Sequence, residues 1–258
     1  MYSNLQPYVI DRKPPMGAVL NPHLAINQGL VCFPIMWEGA GDTVFDLSGN
    51  GVTGTFADSP QWISGKFGSA IDFTPATNPR IEIDPPSALF TDSATFNVWV
   101  RLIDASQTNG FCVLETNGLA NHYPYQGGNI YLGIFRDGDR PNCGATLVTL
   151  TDWHMLTITA SPTAYKVYQN ARLLYSGAGE ANIALPTSGS AQLGSTDSYK
   201  WYGEMDNPAL YNRALTAQEI GLLYREPFCG FRWTSIIELA SYVAAVGGIP
   251  IFRRRRAG

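Results

Sequence analysis

The chain has 258 residues, enough for one large all-β domain with a sizeable core. Charged residues are 15% and aromatics 12%, with 26 glycines and 17 prolines; this balance suits short strands and tight turns and excludes a chain that is disordered throughout. The net charge of −4 includes four consecutive arginines, Arg253, Arg254, Arg255 and Arg256, so the body is more acidic still and its field does not attract nucleic acid.

In chain order, residues 1–28 read as an extended arm. Pro7, Pro14, Pro15 and Pro22 disfavour helix, and the segment lacks apolar periodicity. It also lacks the apolar core of a secretory signal peptide. From Gly29 the texture changes to strand-length runs ended by turn signals: "GLVCFPIMW", "RIEID", "ATFNVWVRLID", "FCVLE", "NIYLGIF", "WHMLTITA", "AYKVYQN" and "SAQLGS". Several alternate. Phe96, Val98 and Val100 point one way and Thr95, Asn97, Trp99 and Arg101 the other, while Ile81 and Ile83 face inward and Glu82 and Asp84 outward. The pattern predicts antiparallel strands with one wet face, arranged as a two-sheet sandwich or jelly roll. One short helix is expected near 216–224, where Thr216 and Glu219 have capping-box spacing and Leu215, Ile220, Leu222 and Leu223 supply the buried side.

Residues 227–258 form a tail. Its run "IIELASYVAAVGGIPIF" is shorter than the roughly 20 residues a membrane helix needs, and Gly247, Gly248 and Pro250 break it. The expectation is a short helix from Thr234 to about Val246, with Ile237 and Val243 on an apolar stripe that packs on the sandwich or on another chain, and arginines near acidic groups. The four cysteines, Cys32, Cys112, Cys143 and Cys229, have no CxxC pairing, so they read as buried thiols and not as a zinc site.

Taken together, "GLVCFPIMWEGAGDTVFDLSGNGVTGTF", "PQWISGKFGSAIDFTP", "ATFNVWVRL", "DWHMLTITASPTAYKVYQNARLLYSG" and "YGEMDNPALYNRALTAQEIGLLY" resemble the laminin-G-like, concanavalin A-like jelly-roll domains, from about Gly29 to Tyr224. The domain is thus set at 29–226. Ala171 departs from the family pattern, which usually turns on glycine at that point. The arm "DRKPPMGAVLNPHLAINQGLV" and the tail opening "YREPFCGFRW" look like those of copies encoded in bacteriophage genomes, often in virion or tail-associated proteins.

The same fold hosts glycoside hydrolases, whose strand carries Glu, Asp and Glu at alternate positions so that two carboxyls flank the glycosidic bond. Here "EIDPPS" supplies Glu82 and Asp84, and "GEMDNPA" supplies Glu204 and Asp206, with Pro208 where the second Glu belongs. Neither set is complete, there is no GxSxG or HExxH motif, and His154 beside Trp153 reads as packing, so no enzyme activity is expected. In "DLSGNG", Asp46, Ser48 and Asn50 begin like a calcium loop, but Ala57 stands where an EF-hand needs Glu. The resemblance makes Asp46, Asn50 and Asp206 candidates for a structural calcium; an Asx-type turn is the alternative. For a lectin-like role, Tyr123, Tyr125, Trp201 and Tyr202 lie in aromatic, Asn/Gly-rich stretches suited to stacking on sugars, unless they pack over the ends of the sandwich.

These readings converge on a non-enzymatic structural protein of a bacteriophage virion, a capsid decoration or tail-associated subunit. It is held through its arm and tail by other virion proteins or copies of itself, with neither nucleic acid nor a membrane span as partner. The alternative is a carbohydrate-binding module that attaches the particle to a surface glycan.

Overall fold

The computed structural model describes residues 12–74, 78–83, 92–103, 112–115, 119–125, 129–134, 142–146, 151–178, 191–194 and 201–231, with the strands between 112 and 146 followed by their backbone. Two antiparallel sheets are stacked, each of eight strands among the described residues. Sheet I runs in the order β14 (Arg172–Ala178), β13 (Ala164–Gln169), β12 (His154–Ala160), β7 (Ala94–Leu102), β16 (Gly203–Tyr211), β5 (Ser69–Asp72) and β4 (Gln61–Ser64), with β1 (Leu30–Cys32) also paired to β16. Sheet II runs β11 (Asn142–Thr146), β10 (Asn129–Ile134), β9 (Leu119–Tyr125), β8 (Cys112–Glu115), β15 (Ala191–Gly194), β6 (Arg80–Ile83), β3 (Thr53–Ala57) and β2 (Thr43–Phe45). This is the predicted antiparallel jelly roll, with neighbouring strands often far apart in sequence.

Alternation places Phe96, Val98 and Val100 of β7 and Leu156 and Ile158 of β12 against Val44, Ile81, Ile83 and Leu193 of sheet II, forming the inter-sheet core. Gly54 lets β3 close on this layer, since a Cβ there would lie 2.4 Å from Val44 and 2.7 Å from Ile81. His154 is buried in the same region, paired in register with Val100; its Nδ1 donates to the Asp152 carbonyl at 3.0 Å, and burial lowers its pKa.

The expectation of a wet outer face fails for sheet I. Trp99 and Asn97 are buried, as are all residues of β16. The reason is a second apolar layer, in which Ile26, Leu30, Phe33, Ile35, Leu215, Ile220, Leu223 and Phe228 cover Trp99, Met155, Ala209 and Tyr211. Part of that cover is the helix α1 (Ala217–Arg225), where Thr216 and Glu219 form the predicted capping box. The rest comes from the N-terminal segment and from a 3-10 turn, Cys229–Phe231. Asn21 N donates to the Gly230 carbonyl at 2.9 Å, and Asn27 Nδ2 to the same oxygen at 2.7 Å, which ties the two ends of the described chain together. Arg213 bridges them to α1, donating to the carbonyls of Ala25 and Gln28 and to the Glu219 carboxylate.

Candidate functional site

Among the described side chains, the outer face of sheet II over β2, β3, β6 and β15 reaches solvent where that of sheet I is covered. With Val44, Ile81, Ile83 and Leu193 turned inward, strand alternation turns Thr43, Phe45, Thr53, Thr55, Arg80, Glu82 and Gln192 outward. Register lines four of them up across the sheet: Thr43 pairs with Thr55, Thr55 with Glu82, and Glu82 with Gln192. At a strand spacing of about 4.8 Å, the row spans about 14 Å. Phe45, paired with Thr53 one step along β2, is 55% exposed and flanks the hydroxyl-bearing end of the row. Arg80 lies beside Glu82, its Nε donating to the carboxylate at 2.9 Å, and its other side approaches Asp58 at 3.5 Å.

Of the carboxylates that came nearest to a hydrolase signature, Glu82, Glu204 and Asp206 are engaged, and Asp84 lies outside the described residues. Arg101 grips Glu204 through two bonds of 2.6 and 2.7 Å, a fork that raises the Arg101 pKa, and its guanidinium lies 5.4 Å from the Trp153 ring. Asp206 is fully buried and pairs at 2.6 Å with the Lys13 ammonium, which also donates to the carbonyls of Met36 and Ser69. Its other oxygen accepts from Phe67 N at 3.2 Å. Burial dominates both ends of this pair, raising the Asp206 pKa and lowering that of Lys13, while their mutual attraction opposes each shift. Glu82 is held by Arg80.

The calcium candidates Asp46, Asn50 and Asp206 each have partners within the protein. The Asp46 carboxylate accepts from Phe33 N, Ser48 N and the Ser48 hydroxyl. Asn50 turns its amide nitrogen to the carbonyls of Leu30 and Val31, so both residues help to close the loop. Asp206 belongs to a different set of partners and already has a cation in Lys13. Among the described residues, no three His, Cys, Asp or Glu side chains gather as a metal site.

Trp201 requires correction as a sugar-stacking residue. It is 0% exposed in the inter-sheet core, its ring against Gly203, so neither face of the indole meets solvent. Tyr202 is half-buried against the same core. Tyr123 and Tyr125 lie on β9, with side chains outside the described set. Ile237, Val243, Arg253, Arg254, Arg255 and Arg256 also lie outside the described residues. Sequence reasoning missed Phe45 and the Thr55–Glu82–Gln192 row. The alternation of "TVF" did carry a signal for Phe45, whereas the row joins β2, β3, β6 and β15 and exists only in the sheet.

Residues 75–221 match the family model described as the concanavalin A-like lectin/glucanases superfamily, of laminin-G type, and the chain belongs to this superfamily. The match begins well inside the stretch that carries the resemblance in sequence. Similar solved structures include the receptor binding domain of botulinum neurotoxin mosaic serotype C/D (14% identity, TM-score 0.62, covering 78% of this chain and 51% of that one). The binding domain of Paraclostridial mosquitocidal protein 1 is comparable (16%, 0.64, 77% and 52%). So is the binding domain of botulinum neurotoxin DC in complex with SialylT (12%, 0.63, 81% and 53%). The chain spans about half the length of these structures, and at such identities the likeness concerns the fold. No curated protein sequence matches the chain.

Proposed function

We propose that the chain is a non-enzymatic structural subunit of a bacteriophage virion, mounted through its terminal segments with the open face of sheet II turned away from the mount. The observation that carries this reading is the sidedness of the molecule. Lys13 and Phe231, where the terminal segments join the described body, both lie on the covered side of sheet I. Lys13 N bonds to the Phe67 carbonyl, and the Phe231 ring packs 6.5 Å from Phe33. Attachment through 1–11 and 232–258 leaves the opposite face free. The non-enzymatic reading is supported by the ion pairing of Glu82, Glu204 and Asp206, each of which has a cationic partner in place of a free role as acid or nucleophile.

The test is mass spectrometry of purified particles from the encoding genome, with the full chain and with 1–11 or 232–258 deleted. Residues 12–28 must be kept, because Lys13, Asn21 and Ile26 are built into the fold. The full chain is expected in particles, and the truncated chains are expected to keep their Tm yet be lost from them. Particles that never contain the full chain refute the reading.

The partly exposed row with its exposed flanking Phe45 favours a second reading, in which that face recognises a surface glycan. Hydroxyl, amide and carboxylate groups beside an aromatic ring are the groups that hold sugar hydroxyls and stack on pyranose faces.

A further inference from the structure

Resting on that glycan reading, we propose that the outer face of sheet II selects uncharged glycans and rejects sialylated ones, with Phe45 as the stacking platform. Across β2, β3, β6 and β15, the strands that build the row, Arg80 is the one cationic residue. Its guanidinium is 18% exposed and is flanked by two carboxylates, Glu82 at 2.8 Å and Asp58 at 3.5 Å. One positive charge against two negative ones leaves this end of the face net negative. Glu82 and Asp58 are also the more exposed partners, at 44% and 54%, so an incoming ligand meets carboxylates before it meets the guanidinium.

Among the described residues of these four strands, a sialic acid carboxylate meets Arg80 as its one cation, and bidentate pairing with it requires displacing Glu82. An uncharged sugar meets no such opposition. Its hydroxyls can donate to the Glu82 carboxylate and exchange hydrogen bonds with Thr55, Thr43 and the Gln192 amide, while its apolar ring face lies on Phe45. These groups stand on paired strands rather than on loops, so the row is held in register before any ligand arrives. The length of the row matches a short oligosaccharide lying across the strands.

The experiment is affinity measurement of the full chain on immobilised laminarihexaose, mannohexaose, N-acetyllactosamine and sialyl-N-acetyllactosamine. At least one uncharged glycan is expected to be retained, and sialyl-N-acetyllactosamine about tenfold or more weakly than its unsialylated parent, a gap that should narrow as salt rises. Phe45→Ala is expected to weaken retention of the uncharged glycan about tenfold with no fall in Tm, since the ring is exposed. Glu82→Lys should reduce the discrimination against the sialylated probe. Equal or stronger retention of the sialylated glycan by the unmutated chain overturns the charge selection alone, and undiminished binding by Phe45→Ala overturns the placement of the site. Retention of no glycan at all overturns the glycan reading on which both depend.

Discussion

Replacing Lys13 by Met keeps the aliphatic stem and removes the charge that Asp206 faces. The pair is enclosed, with side chains 6% and 0% exposed, and the Asp206 carboxylate has no water to turn to. Breaking a buried pair by removing one partner costs about 3–5 kcal/mol. For a domain of this size, that corresponds to a fall in Tm of about 6–20 °C. Asp206→Leu should cost a similar amount by stranding the ammonium. The double variant should cost about 3 kcal/mol less than the sum of the two, because neither charge is then left alone. It will not return to the parent's stability, since Phe67 N and the carbonyls of Met36 and Ser69 lose their partners.

The pH dependence follows from the direction of the shift. Burial already raises the folded pKa of Asp206, and Lys13 is the main group holding it down. In Lys13→Met the folded pKa rises further above the unfolded value near 3.9. Such a group contributes stability that is fully present below the unfolded pKa and is lost as pH rises through the folded pKa. The variant's deficit should therefore be smallest near pH ~4 and grow as pH rises from there. Urea denaturation of the four proteins at several pH values measures this. Additive costs within about 0.5 kcal/mol, or a deficit independent of pH, would refute the account of Lys13 as the partner of Asp206.

Two further outcomes test the site and the fold. The β13–β14 hairpin turns on Asn170 and Ala171 with φ of 51° and 64°, a conformation costing a non-glycine residue about 1–2 kcal/mol. After the extra chain entropy of glycine, Ala171→Gly should stabilise by about 0.5–1 kcal/mol in urea denaturation, whereas Ala171→Val should destabilise. Because Lys13 supplies the positive charge at Asp206, excess EGTA should leave the Tm unchanged; a fall reversed by calcium would contradict the reading of Asp46, Asn50 and Asp206 given above.

Local pattern carried most of the architecture. Alternation in "ATFNVWVRL" and "RIEID" set the inward faces of β7 and β6, and the Thr216–Glu219 spacing set the start of α1, because these depend on neighbours within a few residues. The departure at Ala171 was also visible in the sequence, and the structure places it at a positive φ. Other features depended on contacts between distant segments. Trp201 has the composition of a binding-loop residue, but packing between sheets buries it. Trp99 sits on the polar side of an alternating strand, yet the N-terminal segment and α1 arrive to cover it. Nothing near Asp206 in sequence names Lys13 as its cation, and nothing near Glu82 names Thr55 or Gln192 as neighbours.

What the sequence determined by itself was the kind of fold, since strand period, turn chemistry and helix capping act over short distances along the chain. What only the tertiary structure decided was which face is closed, which carboxylates are neutralised and which aromatic ring meets solvent. Those properties belong to pairs of segments far apart in the chain, brought together only when the sheets form and the N-terminal segment lies across sheet I.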